Sequence, residues 1–210
     1  MMGRHEFSLG GTARRVTLAK GLYASTKVQT AFGWQCVGDL RPGDLVMTRD
    51  DGLTPLHAIH PEFRPALWSV RLPVDAVGNL VDMILPPGQP VLICTAYANP
   101  FSGDDLALVP ATALEGWHGI APHVPASTEA VLQLHLPRPG ILFAGPGLLV
   151  GCDGADPASL TLKSLLHTPC RPVLPLAAAR QMMATLVAEE AALCFRTLYA
   201  ADLCPPPNLS

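Results

Sequence analysis

Charge is scarce in this chain. Asp, Glu, Lys and Arg make up 15% of the 210 residues, and neither sign leads, the net charge being −3. The basic footprint that nucleic-acid binding requires is therefore missing, and no nucleic-acid partner is expected. Low charge beside a 49% apolar share also excludes a disordered chain, whose balance is the reverse. Paired cysteines are lacking too: Cys36, Cys94, Cys152, Cys170, Cys194 and Cys204 form no C-x-x-C, and no His stands at ligand spacing from a Cys pair. We expect no metal and no cofactor. The first twenty residues hold no apolar run of the kind a secretory leader needs, because Arg4, His5, Glu6, Arg14, Arg15 and Lys20 interrupt it. The expected compartment is the reducing cytoplasm, with the thiols acting as small apolar side chains. The least broken hydrophobic stretch, Gly140 to Cys152, contains Gly145, Pro146, Gly147 and Gly151 and falls short of the roughly 18 residues of a membrane span. No membrane partner is expected.

Turn residues, by contrast, are abundant. Glycine contributes 18 residues and proline 22, close to a fifth of the chain, against roughly 12% in ordinary proteins. Between them lie short β-rich runs: Lys27–Thr30, Leu45–Thr48, Leu53–Ile59, Trp68–Leu72, Val91–Cys94 and Val131–Leu136, the last alternating with period two. Ala31-Phe32-Gly33, Arg41-Pro42-Gly43-Asp44 and Arg49-Asp50-Asp51-Gly52 read as turns, Asp51-Gly52 supplying the positive φ of a hairpin. Many short strands punctuated this densely indicate a mainly β fold, a barrel or folded ribbon. After Gly154 the composition changes. Asp156-Pro157 is a helix-start signal for a short helix carrying Leu160, Leu162, Leu165 and Leu166. From Leu176 to Asp202, Ala179, Met183, Leu186, Val187, Leu193, Cys194 and Leu198 recur at helical spacing, opposite Arg180, Gln181, Glu189, Glu190 and Arg196. The expected organisation is a flexible leader over 1–13, a β domain over 14–152 and a helical extension over 155–204.

The stretch Gly21 to Ile59 resembles the start of bacterial Hint domains, the module shared by hedgehog proteins and inteins. The likeness is carried by Thr26-Lys27-Val28-x-Thr30, the Gly33-Trp34 turn, and Val37-x-Asp39-Leu40-x-Pro42-Gly43-Asp44-x-Val46-x-Thr48. In that last cluster Pro42 fixes φ, Gly43 takes a conformation other residues resist, and Asp44 bonds back to local amides. Leu72-Pro73-Val74, Leu85 to Ile93 and Leu108 to Trp117 extend it, so the likeness runs to about Cys152. The resemblance implies a Hint-like folded ribbon or disc and an autoprocessing reaction. In that reaction a Cys or Ser at the first position attacks the preceding carbonyl, and a Thr and a His three residues apart polarise the bond and protonate the leaving nitrogen. Those positions fall on Gly21, Pro86 and Gln89 here. Glycine has no nucleophile, and a glutamine amide exchanges no proton near neutral pH. A terminal His-Asn pair is also missing.

No catalytic residue is therefore assigned. The expectation is a Hint-fold protein without autoprocessing, binding an unidentified protein or small molecule, with a pocket persisting near Gly21, Pro86 and Gln89. The alternative is self-cleavage through a relocated nucleophile at Ser25, Thr26 or Cys36. A cysteine hydrolase would draw on Cys94, Cys152 or Cys170 with a base among His57, His60, His118, His123 and His135, but neither G-x-S-x-G nor a family cysteine signature is present. The C-terminal helix is expected to pack on its own β domain. Trp34, Trp68 and Trp117 suit core anchors better than a groove.

Overall fold

The structure is a computed structural model that describes residues 18–62, 68–124, 129–155 and 171–202. Fourteen short strands follow in chain order: β1 Leu22–Tyr23, β2 Lys27–Thr30, β3 Gly33–Cys36, β4 Leu45–Thr48, β5 Gly52–Pro55, β6 Ala58–Pro61, β7 Ser69–Leu72, β8 Met83–Leu85, β9 Pro90–Cys94, β10 Leu106–Pro110, β11 Ala121–His123, β12 Val131–Leu136, β13 Gly140–Phe143 and β14 Leu149–Gly154. The helices are α1, Asn99–Ser102, and α2, Leu176–Asp202. The chain is mainly β with a C-terminal helix, as its turn density implies. The short helix expected after Asp156-Pro157 and the 1–13 leader lie outside the described residues.

Eleven strands form one sheet in the order β1-β12-β14-β13-β4-β2-β3, with β5 on β4, β6 on β12, and β9 joining β10 to β14; a smaller sheet runs β11-β7-β8. Pairing is antiparallel except between β12 and β14, where His135 stands opposite Asp153. The Asp51-Gly52 hairpin forms as read: Gly52 has φ +68° and Thr48 Oγ1 donates to its carbonyl at 2.8 Å. It is the second hairpin. The first turns at Ala31-Phe32, and Gly33, with φ +95°, opens β3 together with Trp34, which the sequence reading had placed in the turn. The single strand expected over Leu53–Ile59 is two. Leu56 is buried and gives its N–H to Asp44 O at 2.8 Å, while His57 N–H crosses to His135 O at 2.8 Å, so the chain leaves β4 to run beside β12.

Alternation on these strands feeds a main core, where Val28, Val46, Leu72, Leu85, Leu114, Leu136, Leu142 and Val150 are almost wholly excluded from water, and a small second cluster of Leu92, Leu108 and Ile141. α2 docks on the β domain in cis. Ala179, Met182, Met183 and Leu186 are buried, the last three contributing about 1.5–3 kcal/mol each by leaving water. The apolar stripe read along the helix is shorter than expected, because Val187 and Leu193 face solvent. Arg171 ties the approach to the helix down: it donates to Asp104 and to Leu106 O, and Val173 bridges Leu108. The Arg171 guanidinium, helped by the Leu106 N–H, holds the Asp104 carboxyl below its ordinary value; Arg71 and the Val74 N–H do the same to Asp82.

Candidate functional site

Gly21 stands at the mouth of β1, where Leu22 pairs with Leu132. Its φ is +129°, and a Cβ built there would lie 2.6 Å from Leu132 O and 2.9 Å from Val131 Cγ1. Position 21 therefore requires glycine twice over, once for the backbone angle and once for space. The turn 86–89 closes with Gln89 N–H donating to Pro86 O at 3.0 Å, and it is fastened by Gly88 N–H to Ala19 O at 2.8 Å and Thr112 N–H to Pro87 O at 3.0 Å. Those bonds aim the Gln89 side chain at Gly21. Gly21 N–H donates to Gln89 Oε1 at 3.0 Å, and Gln89 Nε2 donates to Gly151 O at 2.8 Å. Because the Gly21 donor and the Gly151 acceptor are backbone groups of known polarity, the amide can face them only this way round.

The structure thus brings Gly21 and Gln89 into direct contact, with Pro86 contributing its carbonyl to the turn. The expected pocket is small. A cavity of about 20 Å³ lies beside them, lined by Lys20, Gly21, Gln89, Gln133, Cys152 and Asp153 among others, which is room for one water. Pro86 does not line it. Gln89 itself occupies the centre, only 3% exposed. Tyr23 and Met83 do not fill the space and are engaged elsewhere: Tyr23 Oη with Ser69 Oγ, and Met83 against Gly145. An ion pair between Lys20 and Asp153 closes the rim.

The Arg41–Asp44 turn is structural. Asp44 Oδ2 accepts from Arg41 N–H at 2.7 Å, Gly43 has φ +96° and gives its N–H to Leu56 O at 2.8 Å, and Asp39 ends the 3-10 turn Val37–Asp39. Pro42 sets up this bend between Arg41 and Gly43. Of the alternative nucleophiles, Ser25, Thr26 and Cys36 are all absent from the lining of the Gly21 cavity. Ser25 N–H is held by Glu129, Thr26 is buried, and Cys36 sits on β3 opposite Lys27. Ser25 and Thr26 border a separate groove of about 680 Å³ whose other walls include Trp34, Val81, Ile84 and His123. Trp34 is therefore a surface residue, whereas Trp117 packs against the core. Cys152, named above only as a hydrolase candidate, does reach the cavity, and its thiol donates to Leu134 O at 2.8 Å. His135 Nδ1 lies 3.3 Å from Gly154 O, and its ring meets His60 edge-on at 5.0 Å. Cys170 lies outside the described residues, and among those described no three His, Cys, Asp or Glu side chains are grouped to hold a metal. Sequence reasoning missed Gly151 as the second partner of Gln89, since a backbone carbonyl leaves no mark in a side-chain pattern.

No curated protein matches the chain. Among solved structures, the bacterial intein-like domain from Clostridium thermocellum is similar at 13% identity, covering 63% of this chain and 98% of its own, with a TM-score of 0.46. The AceL NrdHF class 3 split intein matches at 14% identity over 65% of this chain and 99% of its own, with a TM-score of 0.44. The MchDnaB-1 intein matches at 14% identity over 63% and 98%, with a TM-score of 0.42. The Hint-domain family profile matches residues 21–148, more than half of the sequence, beginning at the glycine that faces Gln89, and the chain belongs to the Hint-domain family.

Proposed function

We propose that this protein is a Hint domain that holds the Lys20–Gly21 bond intact and serves as a binding or structural module for a protein or small-molecule partner. The observation that carries the reading is the Gly21 N–H to Gln89 Oε1 hydrogen bond at 3.0 Å. An acyl shift needs a nucleophile on residue 21, and glycine supplies none. It also needs an acid that donates to the leaving nitrogen, whereas residue 89 accepts from that nitrogen. The segment 18–20 is instead retained, by Gly88 on Ala19 and Asp153 on Lys20. Cys36, Cys94 and Cys194 are free thiols, in keeping with a reducing cytoplasm. None of the described helices is long and apolar enough to cross a membrane.

The test is the intact mass of the full chain after prolonged incubation with a strong small thiol at mildly alkaline pH. A single species of full-length mass is expected. A fragment starting at Gly21 would overturn the reading, and so would a self-generated break elsewhere, which would promote Ser25, Thr26 or Cys36.

A further inference from the structure

The β2–β3 hairpin ends the large sheet, and β3 pairs on one side only. In an antiparallel ladder alternate residues exchange both backbone bonds with the partner strand, and the residues between them point theirs the other way. Val37 N–H on Thr26 O at 2.8 Å, one step beyond β3 in the same register, sets the phase. Gly33 and Gln35 therefore bond to Thr30 and Val28, while the N–H and C=O groups of Trp34 and Cys36 point to the open side. Among the described residues nothing pairs with them. Edge strands ordinarily discourage a newcomer with lysine, proline or a bulge. Gly33–Cys36 reads Gly-Trp-Gln-Cys, and its register on Lys27–Thr30 is unbroken.

The side chains around this edge are apolar. Thr30 pairs with Val46 and both are buried, so by alternation Trp34 on β3, Leu45 and Met47 on β4 and Leu53 on β5 share the outer face. Trp34 is 40%, Leu45 42% and Leu53 45% exposed, and Phe32 in the turn is 90% exposed. We propose that β3 is where two copies of this chain join, antiparallel and about a two-fold axis through Gln35. The edge is its own complement: Trp34 exchanges both outward bonds with Cys36 of the second copy and Cys36 with its Trp34, which closes four hydrogen bonds around facing Gln35 residues. Lys27 is the only charged side chain on the outer face of β2 to β5. In the pair the two Lys27 strands are separated by both β3 strands, about 14 Å, beyond the screening length of about 8 Å, so like charge does not oppose it. Phe32 and Trp34 at their exposures offer about 200–300 Å² of the roughly 800 Å² that each side of a standard interface buries. The pairing therefore belongs to the weak, reversible class, and it does not depend on the chemistry of the Gly21 site.

Sedimentation velocity of the full chain from about 1 to about 300 µM, the range of weak association, should show a reversible monomer–dimer equilibrium. Cys36→Pro is the sharpest variant. Cys36 already has φ −66°, the angle a proline ring fixes, and its N–H points outward, so the substitution removes two of the four intermolecular bonds and none within the hairpin. It should weaken association about tenfold or more. Phe32→Lys, at a site 90% exposed, should weaken it too by charging the edge, and urea midpoints equal to that of the native chain show that the variants fold. In Gln35→Cys the introduced thiols meet across a non-hydrogen-bonded pair with Cα atoms about 4.5 Å apart, within disulfide reach, so mild oxidation should link the copies at residue 35, as peptide mapping would read. A chain that stays monomeric throughout would overturn the proposal, as would a dimer that neither edge variant weakens or one whose cross-links never include residue 35.

Discussion

Replacing Gln89 by leucine keeps the volume of the side chain and removes the two hydrogen bonds that bridge Gly21 and Gly151, along with a longer one to Pro90 O at 3.3 Å. In the native protein the amide joins Gly21 N–H, at 3.0 Å, to Gly151 C=O, at 2.8 Å, and it is 3% exposed. Leucine leaves one buried donor and one buried acceptor unpaired, at about 1–3 kcal/mol each. Burial of the extra apolar atoms offsets about 1 kcal/mol of this, so the expected net loss is about 1–5 kcal/mol, a large part of the roughly 5–15 kcal/mol available to a domain. Gln89→Ala serves as the comparison. It makes the same two bonds impossible but enlarges the neighbouring 20 Å³ cavity, so that additional water can reach the orphaned groups. Equilibrium urea unfolding measures both variants, a shift in midpoint at constant slope reporting stability alone. A loss below about 1 kcal/mol for Gln89→Leu would refute the reasoning, because a bridge between two buried backbone groups cannot be removed so cheaply if it forms in solution.

Two further outcomes follow from the same bookkeeping. Asn79 is fully buried and donates to Pro73 O at 2.7 Å and Val81 O at 2.8 Å while accepting from Val77 N–H at 3.1 Å; Asn79→Ala should cost about 2–4 kcal/mol in urea, and a loss within about 0.5 kcal/mol, the range of ordinary surface changes, would mean that the 73–81 loop organises itself without it. Asp104 is held below its ordinary value of 3.8 by Arg171 and by Leu106 N–H. A lowered native value stabilises the fold above the ordinary value and is lost as pH falls through the native one, so the native chain should outlast Asp104→Asn in urea near neutrality and lose that advantage by about pH 2; an advantage that persists in acid would contradict the pairing.

Elements with one wet face were the legible ones. The alternation of Val131 to Leu136 marked β12 to the residue, Leu134 and Leu136 being buried on one face, and the spacing of Leu176 to Asp202 marked α2. Two strands covered on both faces were not legible: β10, with the burial of Ala107 to Pro110 continuous, and β13, with Ile141 and Leu142 both buried, show no period at all, whereas β9, equally buried, was legible from its short Val91–Cys94 run. The split of β5 from β6 was hidden because Leu53 to Ile59 reads as one apolar run, and only the crossing of His57 to β12 separates it. At the site, the resemblance brought Gly21 and Gln89 together across 68 positions. The contact of Trp117 with Glu190 on α2, across 73, had no such guide, because Glu190 lies outside the stretch that carries the resemblance.

The glycine at 21 and the glutamine at 89 are one arrangement. Gly21 takes a φ of +129° because Leu132 O occupies the place of a Cβ, and Leu132 is itself fixed by pairing with Leu22 on one side and Pro61 on the other. That backbone angle presents the Gly21 N–H to residue 89, and an acceptor belongs opposite an N–H. A histidine at 89 would have to donate towards the same nitrogen, whose lone pair is delocalised into the Lys20 carbonyl as long as the peptide is planar. Donation becomes useful only after a nucleophile has attacked that carbonyl, and no side chain at 21 is there to attack. The hydrogen bond to Gln89 therefore favours the planar amide and opposes the pyramidal nitrogen that bond cleavage needs. A cysteine restored at 21 alone would meet both the strained φ and this reversed polarity, so chemistry returns only if the register of β1 on β12 changes with it.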